Sequence, residues 1–367
     1  MNTKMKAGSE ELWFFLGYFV LLSVSLLLLP VHFAFAQYQF ELIPSISVGE
    51  AYDDNIYLSS RDETSDYITG VSPGLSLSIL SQKTQLQLAY APTFVWYAKE
   101  DINNTVRHAG TLTFGRDLTQ HIRFDVTGAH LFTEEPIEET EDVEGVRTTP
   151  EQRYTYQRNN GSASLNYLFG AENTLTGGYR YSLLDNEDEE LDEPIIPDDG
   201  TTQTPFATLV YWFDIKNGIE LNYNFEKADF YRKDDFEPGD DYTGHGAGIL
   251  YRHRFTPQTT GFMGYDYTTR DFDGDEENYE VHDGSIGFEL TFSPEYSISL
   301  AGGYFVQKNE ESDDETGYTY DANLVKTFSQ GSFTIGGSGG WDEAYLEAER
   351  RGFTRYWGAN TELEYQI

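Results

Sequence analysis

The chain has no cysteine, so it forms no disulfide and holds no thiolate-bound metal. Basic residues are scarce, 24 Lys and Arg against 62 Asp and Glu, giving a net charge of −38 and a pI near 4.3. A nucleic-acid partner needs basic patches to neutralise phosphates and is excluded on this balance. Long hydrophobic runs are also missing beyond residue 36, so no later segment reads as a membrane helix. Mean hydropathy is −0.52 and 39% of residues are hydrophobic, values that suit a soluble protein equally well. Membrane residence would then require a closed barrel, because lipid offers no partner to an open sheet edge. Barrel strands alternate apolar with polar residues and so escape bulk hydropathy.

The one long apolar run is N-terminal. Lys4 and Lys6 precede Leu12 to Leu29, and Ala34-Phe35-Ala36 supplies small residues at the spacing of a signal-peptidase site. Residues 1–36 are expected to be a signal peptide, cut between Ala36 and Gln37, with the barrel occupying 37–367. The competing reading is an uncleaved anchor, since the run could span a bilayer and Glu10 and Glu11 dilute the basic region.

What is abundant is aromatic: 27 Tyr, 25 Phe and 5 Trp make 16% of the chain, beside 34 Gly and 12 Pro. Aromatic girdles and turn glycines are what a transmembrane barrel consumes. Segment after segment sorts with a period of two. Ile219, Leu221, Tyr223 and Phe225 alternate with Glu220, Asn222, Asn224 and Glu226, and Leu86, Leu88, Tyr90, Phe94 and Trp96 share the even positions of their segment. A helix would scramble both patterns. The unit repeats, a strand ending in an aromatic before a short turn. Phe169, Phe213, Phe255, Phe292 and Phe328 lie 44, 42, 37 and 36 residues apart by subtraction.

Acid concentrates in the longer connections. Residues 134–145, 185–199, 234–241, 271–280, 310–315 and 342–349 hold 7, 9, 5, 6, 5 and 4 acids, together 36 of 62. Short neutral turns alternating with long acidic loops are the pattern of tight periplasmic turns and extended extracellular loops. Seven short and eight long connections predict about sixteen strands (14–18), an all-β, transmembrane, antiparallel up-and-down β-barrel with both termini periplasmic.

The last segment places Phe353, Trp357, Ala359, Leu363, Tyr365 and Ile367 on one face and Asn360, Glu362, Glu364 and Gln366 on the other. Its end, Leu363, Tyr365 and Ile367, resembles the C-terminal assembly signal of outer-membrane barrels, although those more often finish on Phe. An ordinary soluble edge strand is the alternative. Near the expected mature start, Tyr52-Asp53-Asp54-Asn55-Ile56, Ser65-Asp66 and Val71-Ser72-Pro73-Gly74-Leu75 resemble the opening of the β-barrel porin 2 family over about 40 residues. The resemblance implies an outer-membrane barrel and, for some relatives, association with exopolysaccharide export.

No catalytic constellation or cofactor site emerges. Asp53, Asp54, Asp62 and Asp66 are candidates for Ca²⁺, which takes six to eight oxygen ligands, but Asx side chains also close turns, and the turn is preferred. None of His108, His121, His130, His245, His253 and His282 has zinc-site spacing. Arg123, Arg180, Arg252, Arg254, Glu220, Glu226, Glu289, Glu362 and Glu364 fall opposite the apolar stripe and are read as charges lining a lumen, either setting a field for solutes or pairing with one another. The expected function is a porin-like channel for ions or small hydrophilic solutes. An accessory barrel for exopolysaccharide export, an outer-membrane hydrolase and an acidic adhesion or ion-buffering protein are the alternatives. Expected partners are outer-membrane lipid and lipopolysaccharide, the barrel-assembly machinery, and polysaccharide or periplasmic export components.

Mass spectrometry of the mature protein should find it starting at Gln37. A chain retaining Leu12 to Leu29 would contradict the cleavage reading.

Overall fold

The computed structural model describes residues 38–57, 63–136, 140–141, 147–148, 153–186, 199–231, 241–274, 276–344 and 352–365. The expected cleavage site (Ala34, Ala36, Gln37), Asp62 and Ile367 lie outside the described residues.

The described chain is all-β apart from a single 3-10 turn at Asp101–Asn103. Its sixteen long strands are β1 (Gln39–Asp53), β2 (Asp66–Leu80), β3 (Thr84–Tyr97), β4 (Thr105–Asp117), β5 (Ile122–Pro136), β6 (Arg153–Phe169), β7 (Asn173–Asn186) and β8 (Asp199–Trp212). They continue with β9 (Asn217–Tyr231), β10 (Tyr242–Thr256), β11 (Thr259–Phe272), β12 (Tyr279–Ser293), β13 (Tyr296–Asn309), β14 (Glu315–Phe328), β15 (Gly331–Ala344) and β16 (Gly352–Tyr365). Spatial order equals chain order in one up-and-down sheet, so every connection is a hairpin. Seven connections have two to four residues and eight have five or more, as the turn pattern predicts. A separate ladder, Thr140–Glu141 with Arg147–Thr148, lies in the longest of them.

Strands of 13 to 17 residues exceed the 9–11 that a tilted strand needs to cross a bilayer. In a membrane-spanning barrel that surplus would build structure outside the bilayer. Tilt is visible in the register. A row of directly opposed residues starts at Asp117 and Arg123, then passes Asn166, Thr176, Thr208, Asn222, Gly248, Asp266 and Asp283 to Phe305 and Gly317. Asp117 ends β4 beside a short turn, whereas Gly317 is the third residue of β14 beside a long connection. The row thus climbs nearly a strand length in ten steps, the stagger that curls a sheet into a barrel. Contacts between non-neighbouring strands show the curl: the Trp341 indole on β15 donates to Asp283 Oδ2 on β12 at 3.1 Å. The chain's first and last long strands, β1 and β16, are exposed over nearly all of their lengths.

Side chains on that row share one face, which is predominantly polar. The other face exposes Leu221, Tyr223, Ile249, Tyr251, Met263 and Tyr265. Apolar exposure on this scale is what a lipid-facing wall carries.

Glycines let inner side chains lie flat along this wall. On β10, an added Cβ at Gly248 would stand 2.2 Å from Asp266 Oδ1 and 2.6 Å from both side-chain polar atoms of Asn222. Carboxylate and amide from the two neighbouring strands therefore meet over β10. At Gly317 the Phe305 ring takes the equivalent space, 2.5 Å from the same virtual atom. Gly302 on the outer face has nothing within 4 Å.

Gly248→Val should therefore cost about 1–3 kcal/mol, the usual overpacking range, and lower the heat-modifiable folded fraction, whereas Gly302→Ala should leave it unchanged. Equal behaviour of the two variants on unboiled gels would contradict this packing.

Candidate functional site: the polar inner face and its mouth

The register places all nine charges expected to line a lumen on the polar face. Arg252 sits between two carboxylates, Nη2 at 3.2 Å from Glu220 Oε2 and Nη1 at 4.0 Å from Glu289 Oε1. Arg123 donates to Asp125 Oδ1 at 2.8 Å and to Asp117 Oδ1 at 3.1 Å. Glu226 accepts from Tyr242 Oη at 2.5 Å and Thr204 Oγ1 at 3.3 Å, with Arg270 Nη2 at 3.7 Å. Glu362 opposes Thr334, and Glu364 opposes Ser332, whose hydroxyl is 3.5 Å from Glu364 Oε2.

Arg254 reaches from β10 to the β6–β7 turn, where Nη2 meets Glu172 Oε2 at 2.6 Å while the guanidinium covers the Trp212 ring at 3.6 Å. That hydrogen bond and charge hold the Glu172 carboxyl below the usual glutamate range. Arg180 shares the aromatic stacking of Arg254, its guanidinium 4.3 Å over the Phe206 ring, but unlike these four arginines it has no carboxylate within 4.0 Å among the described residues.

Toward the long connections the inner face turns aromatic. Phe230, Tyr242, Phe272, Tyr279 and Phe305 are buried with Ala228 and Val281, and Trp341 and Phe353 pack against them. Phe353 shares the strand face of Trp357, as the alternation predicts, yet it packs inward instead of lying exposed. The β14–β15 ladder stops at the Tyr320–Gly339 pair, whereas β15 and β16 stay paired to Ala344–Gly352. Freed from β14, this hairpin end folds toward the buried cluster. Phe353 then stacks on Trp341 at 5.5 Å and approaches Phe305 at 5.8 Å and Tyr279 at 6.1 Å. Trp357 remains 83% exposed. A hairpin extension, with its indole anchored on Asp283, therefore narrows the mouth.

The calcium candidates are built into the fold. Asp53 Oδ1 accepts the Asn55 N–H at 2.9 Å, an Asx turn. Asp66 is wholly buried and accepts N–H groups from Tyr67, Ala98, Lys99 and Glu100 at 2.7 to 3.1 Å. N–H donors occupy the lone pairs a cation would use. Asp54 is exposed. Among the described residues, no group of three or more His, Asp or Glu could hold a metal.

Sequence reasoning missed two recurrent devices. The first is an Asx side chain that accepts the N–H closing the preceding strand: Asn104 for Tyr97 at 2.8 Å, Asp241 for Phe230 at 2.6 Å and Asn278 for Phe272 at 2.7 Å. Its signal was an Asp or Asn directly before a strand's first residue. The second is a repeated tyrosine–histidine pair on the outer face: Tyr90–His108, Tyr223–His245 and Tyr265–His282, with Oη to Nδ1 distances of 2.6, 2.9 and 2.6 Å. Each histidine is the fourth residue of its strand. Leu363 and Tyr365 are exposed on the outer side of β16 at 65% and 57%.

No family model matches the sequence, and no curated protein matches it. Loose likenesses exist among solved structures. The outer membrane channel DcaP of Acinetobacter baumannii is 13% identical, with 90% of this chain and 97% of that one covered at a TM-score of 0.40. The Pseudomonas putida toluene transporter TodX is 11% identical, covering 80% and 90% at 0.37. The ferric yersiniabactin uptake receptor FyuA of Yersinia pestis is 11% identical, covering 88% and 68% at 0.41. Likeness at this level carries no functional argument.

If Trp341 anchors the hairpin end, Trp341→Ala should speed amide exchange at residues 339–344 and 352–354 while the β15–β16 ladder below stays protected. Unchanged exchange would show that the anchor is not what holds it.

Proposed function

We propose that the protein is a porin-like channel of the outer membrane, passing ions or small hydrophilic solutes without a chemical step, with both termini periplasmic. The observation that carries this reading is the row from Asp117 to Asp283, polar at every position except Gly248, on a face whose reverse exposes aliphatic and aromatic side chains. A soluble sheet would bury the second face, and a small barrel would fill the first. Around sixteen strands leave an aqueous lumen where eight would be packed with side chains. Closure needs β1 to pair with β16, which run antiparallel in an even-stranded meander. The outer face would contact lipid and lipopolysaccharide, and Leu363, Tyr365 and Ile367 would engage the assembly machinery.

Membership of the β-barrel porin 2 family is proposed on the resemblance at the first two strands. Its marks are structural here: Ile56 and Tyr57 are buried against Val95 and Tyr97, and Asp66 secures the β3–β4 connection. A role beside exopolysaccharide export would use the same open inner face.

Selectivity follows from charge placement. With 36 acids in or beside the long connections, the outer mouth should concentrate cations. The inner arginines Arg123, Arg252 and Arg254 oppose this weakly, each being paired with carboxylate. Reversal potentials of the refolded protein in planar bilayers should show cation preference at ~0.1 M salt, fading by ~1 M as the Debye length falls from ~10 to ~3 Å. Anion preference at low salt would overturn the mouth assignment, and absence of conductance would overturn the channel.

A further inference from the structure

We propose that Arg180 and Phe206 form a mid-lumen binding site for a carboxylate-bearing solute, a reading that rests on the proposed channel. Arg180 is the eighth of fourteen residues in β7 and Phe206 the eighth of fourteen in β8, so both lie midway between the two rims. Phe206 opposes Gly178, and its ring lies flat across that glycine: an added Cβ there would stand 2.5 Å from Phe206 Cζ. The ring so seated carries the Arg180 guanidinium on its face at 4.3 Å. Stacking holds a guanidinium in a fixed plane and leaves its edge N–H donors free, the fork that matches a carboxylate.

The surroundings make this cation distinctive. Arg123, Arg252, Arg254 and Arg270 each have a carboxylate within 4.0 Å, whereas Arg180 is exposed and its one close partner among the described residues is the Phe206 ring. The inner-face positions of β6 to β8 around it contain hydroxyls and amides, with Ser162 and Thr204 directly opposite Arg180, and no Asp or Glu among the described residues. Inner-face acids stand on the flanking strands and beyond, at Asp125 on β5, Glu220 and Glu226 on β9, and Asp266, Asp283, Glu289, Asp321 and Glu362 from β11 to β16, with Glu226 already engaged by Thr204, Tyr242 and Arg270. In a chain of net −38, an arginine without a carboxylate partner, on three strands whose described inner-face positions hold no Asp or Glu, is a point of anion affinity. An anionic solute would gain a bidentate charge-assisted contact there, with hydroxyls beside it for a polyhydroxylated body.

The test uses glucuronate as probe and glucose as its uncharged counterpart. Ligand-observed NMR on the folded protein in micelles measures binding whether or not the barrel conducts, and bilayer currents measure block. Glucuronate should bind and reduce current while glucose does neither, and R180Q should weaken glucuronate binding at least tenfold. R180K, which keeps charge without the planar fork, should lose most of the affinity and serves if R180Q folds poorly, as judged by heat-modifiability. Equal glucuronate affinity in wild type and either folded variant would overturn the site while leaving the channel intact. Arg180-dependent binding without any current would keep the site and overturn the channel.

Discussion

Everything in this structure depends on the backbone satisfying its own hydrogen bonds between strands. A strand crossing a hydrocarbon layer cannot leave N–H and C=O groups unpaired, so each needs a neighbour on both sides. The up-and-down order answers this with the fewest residues, because each strand's partner is the next in the chain. Once the ladder is set, the period of two decides the rest. Each residue is committed to one face, and a slip by a single position would exchange outward-facing tyrosines for inner carboxylates.

The inner face then has to remain polar without collapsing. Charge pairing between adjacent strands, as in Glu220–Arg252, and over an intervening strand, as in Arg252–Glu289, removes the cost of isolated charges while keeping the wall hydrated. Glycines under the larger inner side chains keep them against the wall, as at Gly248 and Gly317. Where β5 and β15 outrun the ladder on one side, their ends bend inward. Glu134 near the end of β5 meets Arg107, and Trp341 on β15 meets Asp283. The mouth is thus shaped by strand surplus, and its aromatic lining differs in chemistry from the hydroxyl and carboxylate walls below.

The strand count and facing were legible because they rest on local alternation and on turn spacing, as at Ile219 to Glu226. The fate of Phe353 was not, since its parity matches Trp357 and only the end of the β14–β15 ladder at Gly339 separates them. Which arginine keeps a free edge was equally hidden. Arg254 finds Glu172 82 residues away through the stagger, and no spacing rule in one dimension distinguishes it from Arg180. The Asx caps were within reach, because Asn104, Asp241 and Asn278 each stand directly before a strand, the latter two in Asx-Tyr dipeptides.

The central claim is that the sheet has one lipid-facing and one water-facing side. The absence of native cysteine makes it directly measurable, since single cysteines at positions 219 to 226 of β9 can carry nitroxide labels without background. In the reconstituted protein, oxygen should relax labels at 219, 221, 223 and 225, and a water-soluble nickel chelate those at 220, 222, 224 and 226. Uniform accessibility along β9, or the opposite phase, would contradict the account.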